Sequence, residues 1–208
     1  MIKSKDDLQF YLEADKFTLD KKYSKPKIND DVWKFQILLR KVEYYKNKNP
    51  SLLSIILLRA YQVRKHRLGI KLGFDIPPNV FGPGLRINHF GNIVVNGSAK
   101  VGKWCDIHQG VNIGSNNSAE GSILVPKIGS NVWIGPGAKI FGEIEIGNEV
   151  QIAANAVVNK NVADNKTVAG IPAKVINDKG TESVAVAASK AKMDEFLESY
   201  PQYKHYFK

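Results

Sequence analysis

The chain is expected to be mainly β, a parallel β-helix with a helical domain before it and a terminal helix after it. Three observations carry this. Apolar residues recur every six positions between Phe81 and Ala163. The stretch before Pro77-Pro78 shows helical rather than six-residue periodicity. An Ala/Lys/Glu-rich stretch from Glu182 to Ser199 follows the repeats. A hexapeptide period buries its apolar stripe only by coiling and stacking each turn on the last.

Residues 1–74 form the expected N-terminal helical domain. Leu8, Leu12 and Phe17 sit near helical spacing, and Val32 to Val42 and Leu52 to Val63 carry apolar stripes at i, i+3, i+4. Asn49-Pro50-Ser51 breaks the helices, with Ser51 a candidate N-cap. Pro77-Pro78 ends helical structure and opens the repeats.

Residues 75–176 are the expected β-helix domain. One frame reads Phe81, Ile87, Ile93, Ala99, Cys105 and Val111; a second reads Ile128, Ile134, Ile140, Ile146, Ile152 and Val158. Three hexapeptides make a turn, so one coil is about 18 residues. The frames are out of step, which predicts an eleven-residue loop over 117–127. Residues 177–208 form a helical tail, expected to cap the open end of the coil.

The chain has 208 residues and is 43% hydrophobic, enough for one core and a smaller appendage. One cysteine excludes an internal disulfide and suggests a reducing compartment. No signal pattern opens the sequence and the longest apolar run is too short to span a bilayer, so a cytoplasmic location is expected. Net charge is +10, and residues 1–75 hold 17 Lys+Arg against 9 Asp+Glu. The plain reading is a solvated basic face. The sharper one is contact with an anionic polysaccharide or a membrane surface. Nucleic acid is not expected, because no recognised binding motif accompanies the charge.

The hexapeptide frame, the loop and the exit from the repeats resemble the left-handed β-helix acyltransferases, the serine acetyltransferase group above all. The residues carrying the likeness are Asp75-Ile76, Ile87-Asn88-His89-Phe90-Gly91-Asn92, Gly110-Val111-Asn112-Ile113-Gly114, Trp133-Ile134-Gly135-Pro136-Gly137 and Ala169-Gly170-Ile171-Pro172-Ala173. The resemblance implies a left-handed coil, a homotrimer (or a larger assembly of trimers) with sites between subunits, and acetyl-CoA as cosubstrate. It also implies a basic histidine at His89, oriented by Asp75.

Two positions depart from the group. Asn88 stands where it has an acidic residue, and Leu124-Val125 stand where it has Arg-His before Pro126. An amino-acid zwitterion would lose its charged partners there. The expected function is therefore acetyl-CoA-dependent O-acetylation of a saccharide hydroxyl in a capsule, O-antigen or exopolysaccharide pathway. Serine O-acetyltransfer in cysteine biosynthesis is the alternative, and a non-catalytic scaffold a third reading.

Histidine suits the removal of a hydroxyl proton near neutrality, and His89 is the candidate general base. The plainer reading is a surface histidine on a coil edge. Asp75 would hold its tautomer, or else simply cap the turn before Pro77. His108 lies nineteen residues on, one layer up, and Asp106 is expected over Asn88; with Asn88 and Trp133 these are the acceptor-binding candidates. By resemblance, coenzyme A contacts fall to Gly114, Ser115, Gly135, Pro136, Ala154, Lys160 and Lys174. A catalytic zinc would need three ligands, and two of the four histidines, His66 and His205, lie outside the coil, so no metal is expected. Cys105 occupies an inward position and is expected to be inert.

Overall fold

A computed structural model of the protein describes residues 1–117, 123–183 and 187–207. Three helices come first: α1 (Lys5–Thr18), α2 (Asp31–Asn47) and α3 (Leu52–Leu72). Ser51 caps α3, its Oγ accepting from the Ser54 amide at 3.2 Å while Ser54 Oγ accepts from the Ser51 amide at 2.6 Å. Gly73, in the left-handed region at φ 74°, ends α3 and turns the chain into the coil.

The coil has three faces. Five short parallel strands form one, from Phe74–Asp75 through Ile93–Val95, Asn112–Gly114 and Lys139–Phe141 to Val157–Val158. A second holds Lys100–Val101, Lys127–Ile128 and Glu145–Ile146. The third, the site face, stacks Arg86–Ile87, Asp106–Ile107, Trp133–Ile134, Gln151–Ile152 and Thr167–Ala169, and is closed by an antiparallel Lys174–Asn177. Inside the site face Ile87, Ile107, Ile134 and Ile152 stand in one column, each 0% exposed. Truncating a member such as Ile134 to Ala would cost about 2–5 kcal/mol.

Two inward residues per hexapeptide line the core. Ile93 and Val95, Ala99 and Val101, Cys105 and Ile107, and Val111 and Ile113 are all buried. This corrects the register read from the sequence. Ile87 pairs with Ile107, twenty positions on, whereas Val95 pairs with Ile113, eighteen on. The corner after Ile87 thus holds two residues more than its neighbour above. An apolar stripe slipped by two lands on the other inward position, so periodicity alone does not reveal the extra pair. The following coil spans twenty-seven positions, Ile113 to Ile140, so the loop adds nine residues to an eighteen-residue coil rather than eleven. Its stems, Asn116–Asn117 and Ile123–Leu124, pair as an antiparallel hairpin; the rest of the expected loop, 118–122, lies outside the described residues.

A buried ion cluster fastens the helices to the first coil. Arg40 of α2 donates to Asp15 of α1 at 2.8 Å, to Glu43 at 3.0 Å, and to the carbonyls of Phe81 and Gly82 at 2.9 and 2.7 Å. Asp15 also accepts from the Leu85 amide, and Glu43 from the Asn79 amide. Burial raises the pKa of Asp15 against the pull of Arg40, and Arg40 is held firmly protonated by its two carboxylates in spite of its burial.

The terminal helix α4 (Lys190–Ser199) does not cap the open end of the coil. It turns back onto α1, because Phe196, Tyr203, Tyr206 and Phe207 find an aromatic surface in Phe10 and Trp104. Rings at centroid distances of 4.2–6.3 Å make that packing more favourable than a polar coil end. Val184–Val186 lie outside the described residues. Among the described residues no helix is long and apolar enough to cross a membrane.

Candidate active site

The outward side chains of the site face form a column, Arg86, Asp106, Trp133 and Gln151, set by the strand register. Arg86 Nη1 donates to Asp106 Oδ2 at 3.0 Å. Asp106 is 1% exposed, and among the described residues its second oxygen, Oδ1, makes no hydrogen bond. His108 Nε2 lies 3.5 Å from that oxygen and also makes no hydrogen bond among the described residues. Burial raises the pKa of Asp106 to about 6, with Arg86 opposing it. Burial lowers that of His108 to about 4, helped by the positive charge of Arg86. Near neutrality the face therefore holds a guanidinium, a carboxylate and an uncharged imidazole.

Sequence reasoning placed Asp106 over Asn88. The two-residue excess at the corner puts it on Arg86 instead, and Asn88 meets His108, Nδ2 to Nδ1 at 3.2 Å. Arg86 was missed. Its signal was composition: it is the one arginine between residues 75 and 176. Trp133 closes on the histidine, ring centroids 5.1 Å apart and edge-on. The end of α1 and the C-terminal segment roof this face, leaving a cleft of about 600 Å³ bordered by Thr18, Lys21 and Tyr200 as well as Arg86, Asp106 and His108. That volume suits a small metabolite.

His89 stands on the enlarged corner, exposed, its ring 6.2 Å from that of His108. Asp75 is exposed on the five-stranded face, paired in register with Val94, and no hydrogen bond joins it to His89 among the described residues. The expected coenzyme A residues fall on two corners. Gly135, Pro136 and Ala154 lie in line above His89 and His108, where the Gly135 amide donates to Ile152 and the Asn155 amide to the Pro136 carbonyl. Gly114, Ser115 and exposed Lys160 lie at the far end of the five-stranded face, and Lys174 opens the closing antiparallel strand. One prism does not bring both corners together. Leu124 and Val125 are half-buried, and Val125 packs on the coil core. Among the described residues no group of three His, Cys, Asp or Glu side chains could hold a metal ion.

Residues 126–160 match the family model described as bacterial transferase hexapeptide (six repeats). The serine acetyltransferase of Synechococcus elongatus is 38% identical over 116 residues, 55% of this chain and 47% of that protein. The chain spans about half the length of the curated relatives it matches. Among solved structures, the Brucella abortus serine acetyltransferase in complex with coenzyme A superposes with a TM-score of 0.65 at 29% identity, covering 85% of this chain and 70% of that one. The Neisseria gonorrhoeae enzyme in complex with serine gives 0.63 at 28% identity, covering 84% and 71%. These matches overturn the expected saccharide acceptor. That reading rested on the charges missing at Asn88, Leu124 and Val125, of which only Asn88 lines the cleft, and took no account of the charge pair that Arg86 and Asp106 bring to it.

Proposed function

We propose that the protein is an acetyl-CoA-dependent O-acetyltransferase whose acceptor is the hydroxyl of L-serine. The observation that carries this is the Arg86–Asp106 pair beside the two histidines. A zwitterion needs an anion and a cation a few ångströms apart. The carboxylate of Asp106, which lines the cleft, is the partner for the ammonium. The guanidinium edge of Arg86 not spent on Asp106 is the partner for the carboxylate. Neither asks a neutral sugar for anything, and a buried charged pair left without its ligand discriminates against one.

In this reading His89 takes the serine hydroxyl proton as the oxygen attacks the thioester carbonyl. The C–O bond forms, the tetrahedral intermediate collapses, the C–S bond breaks, and the imidazolium returns its proton to the departing thiolate. Transfer is direct. Cys105 is buried, and burial together with the adjacent Asp106 pushes its thiol far above the ordinary range, which disfavours a thiolate acyl carrier. Neutral His108, held by Asn88, faces the acceptor. The coil is left-handed and the protein trimeric, so that the His89 corner of one prism meets the Gly114–Lys160 corner of the next around coenzyme A. Phe90, 71% exposed beside His89, and Val94 supply apolar surface for that contact.

Release of free thiol from acetyl-CoA, measured with L-serine and with a panel of simple sugars and unacetylated polysaccharides, tests the proposal. A kcat/KM for L-serine above that of every saccharide is expected. A higher value for any saccharide would overturn it.

A further inference from the structure

Helix α3 is packed against the rest of the molecule along one side only. Leu52, Ile56, Arg59, Val63, His66 and Ile70 follow one another at alternating steps of four and three, which sets them in one line along its outward side. The apolar members are 78%, 57%, 49% and 69% exposed. Natural surfaces seldom leave such a stripe uncovered. Five Lys or Arg and no Asp or Glu accompany it within the helix. Arg59, Arg64 and Arg67 are exposed and make no ion pair among the described residues. On the flank of α3 a groove of about 830 Å³ is floored by Leu12, Ile37 and Leu68 and rimmed by Lys41, Arg64 and Arg67.

The geometry points to docking of α3 on an anionic lipid bilayer. An apolar stripe flanked by cations is the pattern of a helix that lies in the membrane interface, its apolar side chains at the acyl boundary and its cations among headgroups. Charge and apolar surface together decide against the other occupants. A second copy meeting this face through a two-fold axis would set exposed Arg59, Arg64 and Arg67 against their own counterparts, with no acid on either helix. An anionic polysaccharide would satisfy the cations and leave Leu52, Ile56, Val63 and Ile70 in water. The inference does not rest on the acceptor proposed above, since none of these residues lines that cleft.

Co-sedimentation of the full chain with vesicles tests it. Binding is expected to vesicles containing phosphatidylglycerol, not to pure phosphatidylcholine, and should weaken as salt rises. Arg64→Gln/Arg67→Gln should bind roughly thirtyfold more weakly, at about 1 kcal/mol for each cation lost. Ile56→Asp/Val63→Asp, both at exposed positions, should abolish binding while thermal unfolding and acetyl transfer stay at wild-type values. No wild-type binding to phosphatidylglycerol vesicles, or equal binding by both variants, would overturn the proposal. So would light scattering in which Ile56→Asp/Val63→Asp halves the particle mass while vesicle binding is absent, which would give the face to a second copy.

Discussion

Arg86 Nη1 meets Asp106 Oδ2 at 3.0 Å across adjacent coils and leaves Oδ1 of a nearly inaccessible carboxylate without a hydrogen bond among the described residues. The guanidinium of Arg86 lines the cleft as well, where it can meet the carboxylate of a bound serine. Arg86→Ala should therefore raise KM for L-serine by roughly 10–100-fold, the size of a charge-assisted hydrogen bond, and leave KM for acetyl-CoA unchanged. Steady-state kinetics with each substrate varied in turn checks this; equal changes in both would deny Arg86 an acceptor role.

Activity should carry an acid limb from Asp106. Its pKa is raised to about 6, so the ammonium partner is lost as pH falls through that value. kcat/KM for serine should drop below pH 6. In Arg86→Ala the limb should move to higher pH, because Arg86 is what opposes the effect of burial. A limb that stays in place would separate Asp106 from it.

Stability should respond to Asp106 and His108 in opposite directions. The folded pKa of Asp106 lies above its ordinary 3.8, so its contribution is present below that value and is lost as pH rises through about 6. That of His108 lies below its ordinary 6.5, so its contribution is present above that value and is lost as pH falls through about 4. Asp106→Asn should leave stability rising more steeply from pH 4 to 6.5 than in the wild type, by about 2 kcal/mol across the window. Urea unfolding at several pH values measures the slope, and an unchanged slope would contradict the shift.

His89→Ala should lower kcat by roughly 10²–10⁴-fold, the usual contribution of a general base, with the affinity for acetyl-CoA unaltered. Calorimetric titration of the variant with acetyl-CoA, alongside turnover, reads both quantities. A variant retaining most of its activity would remove His89 from the reaction.

Arg40→Ala should destabilise the protein by about 3–5 kcal/mol, since it leaves Asp15 and Glu43 buried without their cation. Denaturant midpoints report it. A loss under 1 kcal/mol would show that the cluster does little to hold α1 and α2 on the coil.

The repeat was legible because a coil this narrow has no room inside for polar side chains, so its stripe shows at nearly every step from Phe81 to Val158. His89 was picked out by histidine chemistry and the family resemblance, and the structure sets it exposed on the enlarged corner. The cleft was not legible. Whether Asp106 stands over Asn88 or Arg86 depends on two residues inserted at one corner, and Ile93 and Val95 are equally apolar, so the count reads the same either way. The fold-back of Phe196, Tyr206 and Phe207 onto Phe10 and Trp104 was hidden for a different reason. Those partners are far apart in the chain, and no local pattern encodes a contact between them.

The enlarged corner between Ile87 and Val94 also bears on how such a chain can change. Since the core accepts either inward position, length can be gained or lost there in pairs without exchanging inside for outside. A chain lacking Phe90 and Gly91 would stack as one more eighteen-residue coil, with His89 drawn back into an ordinary turn. The scaffold and the histidine's reach are thus separately adjustable: stability is written along the faces, while the position of His89 is written in the length of a single bend.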